Sequence, residues 1–316
     1  MKLFDLHADI GYDVMEESAK GNDHVVRDVH CKKFDQGELA YIAMASYFEG
    51  VESWEYMQKM VLQLKRQIIE CEDLELVLTK DDLFDNSGKK KALLTIEGMC
   101  GIKTQPRESI KWLYDQGIRV ASFCWNEENA LATGVKGNPK RGLSEMGKEA
   151  LKEMIDLNMI VDVSHANEKT FWDIMELDPG IVIATHSNVR ELCDHPRNLW
   201  KEQLMAIKDH GGVVGVVSAP PFVSTHSEKQ DIPHLVQHVR QLKEWIGIDH
   251  IAIGFDFMDF YDDADTYGAI ETLSNATQAQ NFVKELYAQD FSEDEIRKIC
   301  YENARRVLSV AYEKNQ

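Results

Sequence analysis

The chain has 316 residues, long for one domain yet within the range of a closed α/β barrel, so its length demands no second domain. Its 54 acidic residues against 35 basic ones give a formal net charge of -19, which disfavours nucleic acid and anionic membrane surfaces as partners and leaves a small molecule or peptide. No uninterrupted apolar stretch approaches the ~20 residues of a membrane span, and MKLFDLHADI lacks the apolar run and cleavage site of a secretory leader, so a soluble, cytoplasmic protein is expected.

Taken in chain order, KLFDLHA, YIAMASYF, ALLTIEG, RVASFCWN, IVDVSH, GIVIATHS, GVVGVVSA and HIAIGFDF read as strands. Most are near-continuous apolar runs, the pattern of parallel strands buried on both faces, and eight is the number a closed (β/α)8 barrel requires. Between them WEYMQKMVLQLKRQIIE, RESIKWLYDQG, LSEMGKEALKEMIDL, EKTFWDIMEL, KEQLMAIKDHGG and IPHLVQHVRQLKEWIG carry apolar residues at helical spacing. Asp231 caps the last of these, with Pro233 in its first turn, while Gly117 and Gly211 stop two others. Ser292 and Glu295 form a capping box that opens a terminal helix, SEDEIRKICYENARRVLSVAY. The expected fold is a single TIM-type barrel over residues 1–316 with a C-terminal helix. The acidic stretch DFYDDADTYG, residues 259–268, reads as a solvated loop that could line the mouth of a site. Cys31, Cys71, Cys100, Cys124, Cys193 and Cys300 form no CxxC pair, which leaves reduced, mostly buried thiols.

His7 and Asp9 lie two residues apart in the first strand, where side chains at i and i+2 point the same way. Glu97 ends the third strand, His165 the fifth, His186 the sixth and Asp256 the eighth. Singly, each has a plainer reading, as a hydrogen-bonded structural histidine or a carboxylate capping the next helix. Jointly they gather on the one barrel face where active sites form, and buried charge there needs a partner or a metal ion. Imidazole with carboxylate and no thiolate suits zinc or a similar divalent ion. Two ions about 3.5–4 Å apart, bridged by a carboxylate and a hydroxide, would use this many ligands. Glu97 is the bridge candidate, the hydroxide the nucleophile, and Asp256 a spare carboxylate able to carry a proton to the leaving group.

The ordered series RGLSEMGKEALKEMIDLNMIVDVSHAN, THSN, HPRN and YENARRVL resembles the membrane (renal) dipeptidase family of zinc peptidases, within the amidohydrolase superfamily, and the similarity covers nearly the whole chain. The resemblance implies two Zn2+ per subunit, with His7 and Asp9 on the first, Glu97 bridging, and His165 and His186 on the second. It implies Arg197 as the residue binding the substrate's C-terminal carboxylate, Asp256 as the acid/base, and a homodimer. Apart from the family, a helix-capping surface arginine is an equal reading of Arg197. Trp125, in SFCWN, stands where mammalian members carry a substrate-contacting histidine. An indole has one N–H and otherwise a flat apolar wall, so polarising the scissile carbonyl would fall to another group such as Asn126; a core-filling aromatic is the other reading of Trp125. The activity implied is zinc-dependent hydrolysis of dipeptides by a bridging hydroxide, with C-terminal D-residues admitted if the pocket is open. Two other readings remain: a hydrolase of N-acyl amino acids, lactones or esters on the same barrel, and a binding protein without turnover.

Overall fold

The computed structural model describes residues 1–85, 87–261 and 268–313. Its strands are β1 (Leu3–Ala8), β2 (Leu39–Tyr47), β3 (Leu74–Leu76), β4 (Lys90–Glu97), β5 (Val120–Ala121), β6 (Ile160–Asp162), β7 (Val182–Ile183), β8 (Val214–Val216) and β9 (Ile251–Ile253). Hydrogen-bonded neighbours follow the order β7, β6, β5, β4, β2, β1, β9, β8, every pair parallel. Ala184 bridges to Val214, and the Gly215 N–H donates to the Ala184 carbonyl at 2.8 Å, which draws β8 back to β7. The result is a nearly closed parallel barrel with helices between its strands, a (β/α)8 fold.

The eight ring strands are the eight apolar runs of the sequence. β3 is an addition: its three residues, LEL, are too short and too polar to register as a run, and they pair with the first half of β4 while β5 takes the second half of that edge. Helices Ile10–Ala19, Cys31–Gly37 and Gln280–Ala288 are also additions. The six helices read from periodicity are present, as are the Asp231 cap on the His234 N–H and the left-handed Gly117 and Gly211. The terminal helix is interrupted by a wide turn, Lys298–Glu302, before Asn303–Val310.

Period-two alternation sorts each strand's inward residues into tiers. At the base, Phe4, Tyr41, Leu93, Val120, Ile160, Ile183 and Ala252 of seven ring strands, with Val213 just before β8, form an apolar cluster with Val307 and Leu308 of the terminal helix and Ala311 at its end. Two residues further along six of these strands the chain places Thr95, Ser122, Asp162 and Thr185, followed by Gly215 and Gly254, so this side of the next tier is polar or empty, while Leu6 and Ala43 keep the β1–β2 side apolar. The glycines have a steric cause: a Cβ at Gly254 would lie 1.9 Å, and at Gly215 2.0 Å, from the Thr185 carbonyl oxygen. The outward residues, such as Ile42, Met44, Leu94 and Ile96, pack against Met57, Leu64 and Ile110 of the helices. All six cysteines are free and buried. Among the described residues no helix is long and apolar enough to cross a membrane.

His238, buried on helix Ile232–Ile246, ties two loops of the C-terminal face together. Its Nδ1 accepts the Val189 N–H at 3.1 Å, which makes Nε2 the protonated nitrogen that donates to the Val223 carbonyl at 2.9 Å. Burial pushes its pKa down from 6.5 to about 4. The unfolded chain therefore binds the proton more readily, and the stability His238 contributes, complete above pH 6.5, falls away as pH drops toward 4. Between pH 7 and pH 5 this amounts to about 2 kcal/mol. Urea unfolding of wild type and His238→Gln at both pH values should show a drop smaller by that amount in the variant; equal drops would refute the assignment.

Candidate active site

The strand ends bring the six residues singled out by sequence into one buried cluster. His7 Nε2 lies 3.2 Å from Asp9 Oδ1, 3.6 Å from Glu97 Oε1 and 3.7 Å from Asp256 Oδ1. Glu97 Oε1 is 2.7 Å from His165 Nε2 and 3.3 Å from His186 Nε2, and those two nitrogens are 3.0 Å apart. Glu97 is thus the common neighbour of all three imidazoles. Asp9 sits one residue past the end of β1, yet its carboxylate still turns to the side of His7. Asp256 holds a left-handed backbone, φ +58°, a conformation costing most L-residues about 1–2 kcal/mol and tolerated best by Asp, Asn and Gly.

Hydrogen bonds fix the tautomers of two histidines. Asn126 Oδ1 lies 3.1 Å from His165 Nδ1, so that nitrogen is the donor. Thr185 donates its hydroxyl proton to Asp162 at 2.7 Å, so its oxygen accepts from His186 Nδ1 at 2.8 Å. Both rings therefore present an unprotonated Nε2 to Glu97, the form in which imidazole binds a metal. His7 Nε2, Asp9 Oδ1 and Glu97 Oε1 are buried and have no hydrogen-bond partner among the described residues. A divalent cation about 2.0–2.2 Å from each would satisfy all three together. His7, Glu97 and His186 form one candidate cation-binding trio and His7, Asp9 and Asp256 another.

The electrostatics agree. Burial, reinforced by Asp9, drives the Glu97 carboxyl well above its ordinary range. Burial raises Asp256 to about 6 against the pull of His7, and Asp5, beneath the cluster, to about 7. Burial works against charge on His7, but Asp9 and Glu97 outweigh it and hold its pKa well above normal. His165 and His186 are pushed well down by burial, with Arg197 and His7 adding to the effect. The cluster is short of positive charge.

Arg197 is buried rather than a surface cap. Its Nη1 donates to the Ser164 carbonyl, and its Nη2 lies 3.0 Å from His165 Nε2 and 3.4 Å from the His186 carbonyl. It forms no ion pair with a carboxylate among the described residues. A cavity of about 300 Å3 opens above the cluster, and Arg197, Trp125, Asn126 and Asp256 line it. Trp125 is half-exposed there, its ring edge-on to Tyr47 at 5.3 Å, so it walls the cavity instead of filling the core.

Three contributors were not singled out by sequence. Asp162 and Thr185 orient His186 from the polar tier. Tyr261 donates to Asp9 Oδ2 at 3.1 Å and stacks on Tyr12 at 4.4 Å between centroids. Tyr261 belongs to the acidic stretch read as a solvated loop; its ring and the Lys33–Asp259 ion pair at 2.5 Å fasten that stretch to the barrel, while residues 262–267 lie outside the described residues. A tyrosine amid acidic residues carries no periodicity that would have marked it.

A parallel barrel whose C-terminal mouth concentrates unprotonated imidazoles and unpartnered carboxylates is the framework of a metal-dependent hydrolase. The family model for membrane dipeptidases, peptidase family M19, matches residues 1–316, and the chain belongs to that family of metallopeptidases. An uncharacterized Klebsiella pneumoniae protein from the pqqA 5′ region is 32% identical over 228 residues, 69% of this chain and 81% of that protein. An uncharacterized dipeptidase of Schizosaccharomyces pombe is 31% identical over 62% of this chain, which spans 51% of its length. The metallo peptidase of Rhodobacter sphaeroides, solved with a phosphinate mimic of the dipeptide L-Ala-D-Ala, shares the fold with TM-score 0.86 at 20% identity, covering 98% of this chain and 99% of that one.

Proposed function

We propose that the chain is a zinc-dependent dipeptidase that cleaves the one peptide bond of free dipeptides, including those with a C-terminal D-residue. The observation that carries this reading is the trio of buried, unpartnered ligand atoms, His7 Nε2, Asp9 Oδ1 and Glu97 Oε1. His7, Asp9 and Glu97 would hold one ion and Glu97, His165 and His186 a second, Glu97 shared because among the described carboxylates it alone neighbours all three imidazoles. Bound there, such ions supply a hydroxide nucleophile at neutral pH and polarise a carbonyl.

The chain's own residues do the rest. Arg197 lines the cavity as its buried cation, and a guanidinium pairs with a carboxylate through two parallel hydrogen bonds. Asp256 stands at the rim of the cluster, where its carboxylate holds a proton and passes it to the departing amine. Trp125 presents a flat wall to the substrate. The Asn126 oxygen is engaged by His165, which leaves its amide N–H2 as the group free to meet a substrate carbonyl. The phosphinate dipeptide mimic held by the Rhodobacter protein supports the substrate class, D-residue included.

Elemental analysis of zinc-loaded protein should give two ions per chain, and a panel of dipeptides, N-acyl amino acids, lactones and esters should show turnover of the dipeptides first. Protein that retains no stoichiometric metal, or prefers a lactone to every dipeptide, would overturn the reading.

A further inference from the structure

We propose that Glu49 is the anchor for the substrate's α-ammonium group and thereby selects free dipeptides over N-blocked ones; the inference rests on the dipeptidase reading above. Four carboxylates line the cavity: Asp9, Glu49, Glu97 and Asp256. Three belong to the cluster around His7. Glu49 stands apart, and among the described residues it forms no ion pair with a lysine or arginine.

Its position follows from the strand order. Glu49 comes two residues after β2, and Arg197 is bonded to the residues that follow β6 and β7. Around the ring, β2 lies four places from β7, directly across the mouth, and is flanked by β1 and β4, which carry His7 and Glu97. A substrate with its carboxylate on Arg197 and its amide over the cluster therefore directs its other end toward β2. In a dipeptide near neutral pH that end is an ammonium ion. A carboxylate at one pole and a guanidinium at the other match the charges of a zwitterion, and one peptide bond lies between them.

The Glu49 loop is also held in shape without substrate. The Glu52 carboxylate accepts the backbone N–H groups of Glu49, Gly50 and Val51 at 3.0–3.1 Å, and the Cys100 thiol donates to it at 3.3 Å. The Tyr47 hydroxyl donates to Glu49 Oε1 at 3.4 Å, which steadies the acid beside the Tyr47 and Trp125 rings, whose faces also favour a cation. A loop already ordered loses little entropy on binding.

The test is steady-state kinetics of zinc-loaded wild type and Glu49→Gln on L-Ala-L-Ala and on N-acetyl-L-Ala-L-Ala. A lost charge-assisted hydrogen bond corresponds to about a tenfold loss of kcat/KM on the free dipeptide. That loss should fall on KM, with no comparable loss on the acetylated substrate, and Glu49→Asp should recover part of it. Equal losses on both substrates, or none on either, overturn the role of Glu49 while leaving the dipeptidase reading intact. A wild type inactive on free dipeptides overturns both.

Discussion

Glu97→Gln is expected to abolish turnover and to reduce the metal content of the protein while leaving the barrel folded. Glu97 Oε1 meets the Nε2 atoms of His165, His186 and His7 within 2.7–3.6 Å, so one neutral amide in its place disturbs both proposed ion sites at once. Metal-centred stabilisation of transition-state charge is worth several kcal/mol, and at 1.36 kcal/mol per decade the activity should fall by ~10^3-fold or more. The fold should survive because the base of the barrel is apolar and closed by the terminal helix, with no contribution from Glu97. Replacing a buried carboxyl that lacks a partner removes a strained group, so the metal-free variant should unfold at a denaturant concentration no lower than metal-free wild type. Equilibrium dialysis against zinc, assays on L-Ala-D-Ala and urea unfolding test the three parts. Full metal content with unimpaired turnover would refute the shared-ligand assignment.

Arg197→Met should lower kcat/KM for free dipeptides by about 30-fold to several thousandfold, the equivalent of 2–5 kcal/mol for truncating one partner of a buried, hydrogen-bonded charge pair. The informative comparison is with dipeptide amides, which lack the carboxylate. Wild type should discriminate strongly against them, and Arg197→Met should lose most of that discrimination. Because Arg197 also bonds the Ser164 and His186 carbonyls, Arg197→Lys is the companion variant. A lysine keeps the charge but not the fork, so it should fall between the other two on free dipeptides. A variant that loses free dipeptide and amide equally would show that Arg197 supports the scaffold and not the substrate.

The barrel was legible because parallel strands covered on both faces leave long apolar runs, such as IVDVS and HIAIGF, with helical periods between them. The strand-end histidines and carboxylates were legible for a related reason: polar groups are conspicuous at the end of such runs, and barrel topology says where they go. What sequence could not reveal depends on neighbours in space. β3 is three residues long and exists through its pairing with β4. Thr185 looks like an ordinary strand residue until its hydroxyl is seen between Asp162 and His186. Asn126, read as a group for the substrate carbonyl, has its oxygen on His165, a contact across 39 residues that no local pattern encodes. The helix Ile10–Ala19 was missed because it starts straight after Asp9, without a connecting turn or a side-chain cap to announce it.

The paired glycines of the upper tier divide the molecule by how freely it can change. Any side chain at Gly215 or Gly254 would collide with the Thr185 carbonyl, one residue from His186, so the wall on that side tolerates no variation. Adaptation to a new substrate is thereby channelled into residues beyond the strands, among them Phe222, Met258 and Glu49, which line the cavity without belonging to the cluster of histidines. A designer seeking altered selectivity should diversify that upper rim and keep the staves of the barrel as they are.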